Sequence, residues 1–138
     1  MATLTPYLSF RDNTREAMTF YQSVLGGKLD LVVFADFPQM PHDPADDDRI
    51  MHSWLETDDG MVLAASDTPT GMEHRAPQGV SVSISTDDAG RAQAIWDGLG
   101  DGGTVDMPLD SPPWGGRFGM VTDRFGVSWM IMENAARE

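Results

Sequence analysis

Apolar residues recur at helical spacing in a segment near the start of the chain. They lie at positions i, i+3, i+4, i+7 and i+8, which form one face of a helix: Ala17, Phe20, Tyr21, Val24 and Leu25. Asp12 or Asn13 can cap the start of this helix, and Gly26-Gly27 would end it. The pattern therefore predicts one amphipathic helix of about three turns.

A second segment repeats the same arrangement later in the chain. Its apolar face consists of Ala92, Ile95, Trp96 and Leu99, and the glycine-rich run 98–103 follows it. Asp87 or Asp88 can act as the N-terminal cap. Because the run 98–103 ends a helix instead of opening one, it is not a phosphate-binding loop.

A short strand is predicted before each helix, at 6–10 and at 80–85, where apolar and polar residues alternate strictly. In the later strand Val80, Val82 and Ile84 share one face, which leaves three serines on the other. Further strands are predicted at 28–37, 50–57 and 61–66, and again at 103–109, 117–122 and 127–132. Each half of the chain thus has the order strand-helix-strand-strand-strand.

The final hairpin of each half begins with Thr-Asp and contains a glycine, in 57–66 and in 122–131. Asp59-Gly60 is a strong hairpin turn, and Asp123 to Gly126 is a slightly longer one. Such a repeat predicts a single α+β domain over 1–138, built from βαβββ modules at 1–70 and 78–134. We expect curled mixed sheets around a shared cavity.

Composition narrows the possible partners. The chain of 138 residues has 9 Lys and Arg against 22 Asp and Glu, giving a formal charge of −13 and no cysteine. This charge disfavours nucleic acid and anionic membranes, and the missing cysteines exclude disulfides and thiolate metal sites. No basic leader and no apolar stretch near 18 residues is present, so we expect a cytoplasmic protein without a membrane partner.

Four motifs resemble the vicinal oxygen chelate superfamily, which includes glyoxalases, bleomycin-resistance proteins and ring-cleaving dioxygenases. They are TPYLSF, EAMTFYQSVLGG, IMHSWLE and WGGRFGMVTDRFGVSWMI, and they look most like the PhnB-like branch. The resemblance covers 5–132. It implies paired βαβββ modules, a homodimer and a small-molecule cavity within the sheets.

Metal-dependent members of this superfamily take divalent-ion ligands from the first and last strands of each module. The corresponding positions here are Thr5, Ala64, Ser81 and Met130. None carries an imidazole or a carboxylate, so no metal or other cofactor is predicted, although a displaced metal site stays open. Glu133 points to the opposite face by alternation and is interpreted as a solvated strand end.

His52 is the candidate catalytic residue, since alternation places it on one strand face with Trp54 and Glu56. His52 and Glu56 can form a proton-transfer pair beside an aromatic wall. The alternative is a hydrogen-bonded, inert His52. His42 and His74 lie in turn-rich loops and are expected to be solvated, and the acidic run 43–48 is expected to be a mobile loop.

Trp114 and Phe118 flank two glycines beside Arg117, which can meet an anionic ligand or pair with a surface acid. In the last strand Trp129 is expected to pack under the helix. The further residues expected to bind a ligand from the strands are Tyr7, Ser9, Trp54, Ser81, Ser83 and Met130.

Two functions follow from these residues. The first is binding of a small organic molecule without the usual metal. The second is a lyase, isomerase or dioxygenase activity on a small oxygenated substrate, using a displaced metal site or His52 with Glu56.

Overall fold

The computed structural model describes residues 2–37, 39, 42–75, 78–113 and 115–134. The chain divides into two compact units, Met1–Ala76 and Pro77–Glu138. Within the described part of the chain, no helix has the length and apolar character needed to cross a bilayer.

The first unit contains one four-stranded sheet and one helix. Its elements are β1 (Tyr7–Phe10), α1 (Thr14–Leu25), β2 (Lys28–Val33), β3 (Ile50–Glu56) and β4 (Val62–Asp67). The strand order is β1-β4-β3-β2, with β1 parallel to β4 and the other pairs antiparallel.

The second unit repeats this plan. Its elements are β5 (Val82–Thr86), α2 (Ala89–Gly100), β6 (Thr104–Asp110), β7 (Arg117–Thr122) and β8 (Ser128–Glu133). The strand order is β5-β8-β7-β6, again with one parallel pair. The predicted α+β fold of two βαβββ modules is confirmed. The predicted strand 80–85 begins two residues later, so Val80 lies outside it and is exposed.

Each helix covers one face of its own sheet. In α1 the buried apolar side chains are Ala17, Met18, Tyr21 and Leu25, and in α2 they are Ala92, Ile95 and Leu99. Strand residues on the helix side, such as Leu8, Leu55 and Ile131, are buried as well. The helical periodicity of the sequence therefore identified the core face of both units, with Phe20, Val24 and Trp96 at its half-buried margin.

The cap of α1 differs from the prediction. Asn13 makes no side-chain cap, and the backbone N–H of Thr14 instead donates to the carboxylate of Asp67 at 2.9 Å. The second oxygen of Asp67 accepts from the N–H of Ile50 at 2.8 Å. Asp67 is buried and so ties α1, β3 and β4 together. In α2 the predicted Asp88 does cap the helix, by accepting from the N–H of Arg91.

The two final hairpins are equivalent, but not through their Thr-Asp pairs. Thr57 and Asp123 both precede the hairpin glycine by three residues, and both are buried. The Thr57 hydroxyl accepts from the N–H of Met61 at 3.0 Å, and Asp123 Oδ1 accepts from the N–H of Val127 at 3.1 Å. Thr57 therefore corresponds to Asp123, and the Thr-Asp repeat read from the sequence is displaced by one residue.

The acidic run 43–48 is anchored, which corrects the expectation of a mobile loop. Asp46 is completely buried and accepts from both the N–H and the hydroxyl of Thr70, at 2.8 and 2.7 Å. Arg49 lies 3.3 Å from the same carboxylate. These contacts with Thr70, opposed by desolvation and aided by Arg49, lower the pKa of Asp46 below its usual value.

Gly103 offers a direct test of the close packing at the second hairpin. A Cβ on Gly103 would overlap the carbonyl oxygen of Thr122 and lie 3.0 Å from the Cα of Asp123. We expect Gly103→Ala to lower the free energy of unfolding by about 1–3 kcal/mol, because the obstacle is backbone. In Gly90→Ala, the control, the new Cβ meets only a side-chain oxygen at 3.4 Å. Urea denaturation would contradict the account if both variants behaved alike.

The anchored carboxylate of Asp46 predicts a specific dependence of stability on pH. Its folded pKa is depressed, so its contribution is complete above the ordinary Asp pKa of about 3.9 and is lost as pH falls through the folded value. We expect the stability of the wild-type chain to fall more steeply below about pH 5 than that of Asp46→Asn. Asp43→Asn, at an exposed position, is the control and should follow the wild type. Parallel curves for wild type and Asp46→Asn would refute the role of Asp46.

Candidate functional site

The face of each sheet that lies away from its helix is the candidate site, and it is called the open face. Strand pairing defines its central row of side chains. In the first unit Tyr7 is in register with Ala64, Ala64 with Trp54, and Trp54 with Asp30. This aromatic row is made up of Tyr7, Ala64, Trp54 and Asp30.

The equivalent row in the second unit is composed of different chemical groups. Ser83 is in register with Met130, Met130 with Met120, and Met120 with Met107. This thioether row is made up of Ser83, Met130, Met120 and Met107. Beside it, Phe118 pairs with Met132 on the same face.

Three aromatic side chains meet on the open face of the first sheet. The rings of Tyr7 and His52 are stacked, with centroids 5.8 Å apart and an interplanar angle of 21°, and the rings of His52 and Trp54 lie 6.2 Å apart. A hydrogen bond of 3.1 Å joins the Tyr7 hydroxyl and His52 Nδ1. Ala64, which lies between Tyr7 and Trp54, is completely buried. The three rings therefore form one continuous surface.

The structure does not bring Glu56 to His52. Both lie on β3 and share its open face, but four residues of extended strand separate their Cα atoms by roughly 13 Å. Glu56 is instead in register with Lys28 on β2. Glu56 is therefore not the direct contact of His52 that was expected for proton transfer. Tyr7 is the hydrogen-bond partner of His52 instead.

Arg117 lies on the helix side of the second sheet, opposite to Phe118. Its guanidinium donates to Glu133 at 2.7 Å, to the Gln93 side chain at 2.8 Å and to the carbonyl oxygen of Ala89 at 3.3 Å. Arg117 therefore pairs with an acid, which was the alternative to binding an anionic ligand in the sequence analysis. Glu133 is 17% exposed and ion-paired, which corrects its interpretation as a solvated strand end.

The other residues expected to bind a ligand are placed as follows. Ser9 lies two residues beyond Tyr7 on β1 and is exposed on the same face. Ser81 and Thr5 precede β5 and β1 and so lie outside the strands. Trp114 falls outside the described residues. Trp129 is buried on the helix side of its sheet, in agreement with its predicted packing under the helix, and its indole N–H donates to Asp123 at 2.8 Å.

The two remaining histidines are less solvated than expected. His42 has a side chain 12% exposed, contacts the ring of Phe34 and bonds to Asp47 at 2.7 Å. His74 Nδ1 lies 3.1 Å from the hydroxyl of Thr68. Both are therefore held by local partners.

The residues at the superfamily's metal positions do not fit a divalent ion. Ala64 has no donor atom, and Met130 offers only a thioether, which hard and borderline cations bind poorly. Their register partners Tyr7 and Ser83 add hydroxyls but no imidazole or carboxylate. Among the described residues, no three His, Asp or Glu side chains are grouped as a metal site requires.

A separate open groove of about 760 Å³ lies at the N-terminal end of α1. Its lining includes four acids, Asp12, Glu16, Asp48 and Asp67, together with Arg15 and Arg49. None of the residues expected to bind a ligand lines it. No aromatic side chain is among its described lining residues, so we place the candidate site on the open faces.

Sequence reasoning missed three members of the central rows, namely Asp30, Met107 and Met120. Alternation in 117–122 already places Met120 beside Phe118, so that signal was present. Met107 follows an irregularity in β6 between Val105 and Met107 that shifts the register. Its face cannot be deduced by alternation alone.

Comparisons with known proteins give one family model and several similar proteins. A family model described as 3-demethylubiquinone-9 3-methyltransferase matches residues 2–132. Protein PA1353 from Pseudomonas aeruginosa is 37% identical, with a TM-score of 0.87 over 99% of this chain and 100% of that one. Protein YjdN of Escherichia coli K12 is 28% identical over 93% of this chain and 92% of its own length.

A further solved structure, the PhnB protein from Bacillus cereus, has the same fold. It is 22% identical and reaches a TM-score of 0.73 over 96% of this chain and 100% of that one. At this level of identity the similarity concerns the fold alone.

Proposed function

The chain belongs to the family described as 3-demethylubiquinone-9 3-methyltransferase, a PhnB-like branch of the glyoxalase/bleomycin resistance/dioxygenase superfamily, and from this premise we propose that it binds a small planar organic molecule on the open face of its first sheet. Binding would not use the superfamily's usual divalent metal, because the residues at those positions do not suit one.

The observation that carries this proposal is the aromatic surface of Tyr7, His52 and Trp54. Tyr7 is 52% exposed, yet its ring is already held by stacking and by a hydrogen bond to His52. An aromatic side chain fixed before binding loses little conformational entropy when a ligand stacks on it. The small Ala64 between Tyr7 and Trp54 is completely covered, so a ligand would meet the rings themselves.

Charges around the aromatic surface indicate the ligand class. Asp30 extends the aromatic row beyond Trp54, whereas Glu56, farther along the same face of β3, is opposed by Lys28. With a formal charge of −13 on the whole chain, the Asp30 carboxylate disfavours an anionic ligand. We therefore propose a neutral or cationic planar compound.

Methyl transfer, which the family description names, is not carried over to this chain. The fold of a protein does not determine its chemistry. The glycine-rich run 98–103 includes the end of α2 and opens no helix that could hold a nucleotide-type methyl donor. S-adenosylmethionine nevertheless belongs among the compounds tested.

A thermal-shift screen of neutral, cationic and anionic aromatic compounds, with S-adenosylmethionine included, tests the proposed binding. We expect neutral or cationic planar compounds to stabilise the chain. Trp54→Ala should weaken their binding about 3- to 10-fold, because an aromatic contact contributes roughly 0.5–1.5 kcal/mol beyond burial.

Phe37→Ala is the matched control, because Phe37 is 41% exposed and lies outside every strand. It should bind as tightly as the wild type. Equal binding by Trp54→Ala and the wild type would overturn the proposed site, and stabilisation by S-adenosylmethionine alone would favour methyl transfer.

A second candidate function is enzymatic, and the hydrogen bond between Tyr7 and His52 favours it. In the tautomer in which His52 Nδ1–H donates to the Tyr7 oxygen, Nε2 carries no proton and can accept one from a bound oxygenated substrate, as a lyase or an isomerase requires. Tyr7 would then orient the His52 ring.

Solvent-deuterium exchange into the bound compound, followed by NMR, tests this activity. If His52 is the base, His52→Ala should slow the exchange by at least about 100-fold. His74→Ala serves as the control and should leave the rate unchanged. An unaltered rate in His52→Ala would remove His52 from the mechanism.

A further inference from the structure

We propose that the thioether row of the second unit is a binding site for a soft monovalent cation of the Cu(I) type. Its ligands would be the sulfur atoms of Met107, Met120 and Met130. This site is separate from the aromatic surface proposed above, and it does not depend on that proposal.

Strand register places these three methionines side by side on adjacent strands. Met107 is the direct partner of Met120, and Met120 is the direct partner of Met130, so the three side chains leave the same face of adjacent strands. The Cβ atoms of directly opposed residues lie about 4.5–5.5 Å apart. Methionine has three rotatable bonds beyond its Cα, so the outer two side chains can turn toward the central one.

The chemistry of the row suits only a soft ion. Thioether sulfur is a soft ligand that selects Cu(I), whereas Mg²⁺, Ca²⁺ and Zn²⁺ need oxygen, nitrogen or thiolate donors. Met130 stands at one of the superfamily's metal positions. Its thioether does not suit a divalent ion there, but it can bind a soft ion. The hydroxyl of Ser83 closes the row at its other end.

The three methionines are not needed to fill a core. Met107 is 46% exposed and Met120 and Met130 are half-buried, whereas the core residue Met18 is completely buried. The first unit forms the same row with aspartate, tryptophan and alanine at the matching positions. The backbone therefore tolerates other side chains there.

The charge of this face also favours a cation. Among the residues of the four strands β5, β6, β7 and β8, all of which the structure describes, Arg117 is the only basic one, and its guanidinium is held on the helix side by Glu133 and Gln93. Asp110 pairs with Phe118 beside the thioether row. The strongly acidic chain would add a long-range attraction for a positive ion.

Silver(I) is the probe for this site, because it is soft, monovalent and stable in air. The full chain, labelled with [¹³C-methyl]methionine, is titrated with silver nitrate in chloride-free buffer and followed by NMR. We expect saturation at one ion per chain, with shifts confined to the methyl signals of Met107, Met120 and Met130. The signals of Met18 and Met72 should remain unchanged.

Calorimetric titration of two variants completes the test. Met120→Leu and Met130→Leu conserve volume and are expected to fold. Each should weaken silver binding by at least about tenfold, since the loss of even an indirect partner of a metal typically costs 10–100-fold. Met72→Leu, in an exposed loop, is the matched control and should bind as the wild type does.

Three results would overturn the proposal. These are absence of saturable binding, equal affinity in the wild type and Met120→Leu, and loss of binding in His52→Gln, which would assign the ion to the histidine. None of them bears on the Trp54 experiment, so the two proposals can fail separately.

Discussion

The covering of each sheet by a single helix is the constraint on which the remaining structure depends. A strand alternates its side chains between two faces, so burying one face under a helix fixes which residues remain on the other. Leu55 and Leu63 are buried on the helix side of the first sheet, and Trp54 is thereby left on the open face. The same rule places Met130 on the open face because Trp129 and Ile131 are buried.

The two units share a backbone plan but differ in the chemistry of their open faces. Equivalent hairpins are held by Thr57 in one unit and by Asp123 in the other, and Gly27 and Gly103 both pass close to the strand end before that hairpin. These constraints act on the backbone, so they leave the central rows free to differ. One row became aromatic and acidic, and the other consists largely of thioethers.

Much of this fold could be predicted from the sequence, since both helices have clear apolar periodicity and each of the eight strands overlaps a segment rich in strand-forming residues. Alternation also placed His52 with Trp54 and separated Trp129 from Met130. The contacts that depend on pairing between distant strands could not be predicted. Tyr7 reaches His52 diagonally across β4, where its own register partner is the small Ala64, and Arg117 meets Glu133 through the register of β7 with β8. The burial of Asp46 depends on Thr70, which lies in another loop.

The central claim is that the open face of the first sheet receives the ligand. The most direct measurement is an NMR titration of the chain, ¹⁵N-labelled at its four tryptophan indoles, with a compound that stabilises it. The account predicts that the Trp54 signal moves, whereas that of Trp129, buried and bonded to Asp123, stays in place. A stationary Trp54 signal at saturation, with Trp129 or Trp96 moving instead, would contradict it.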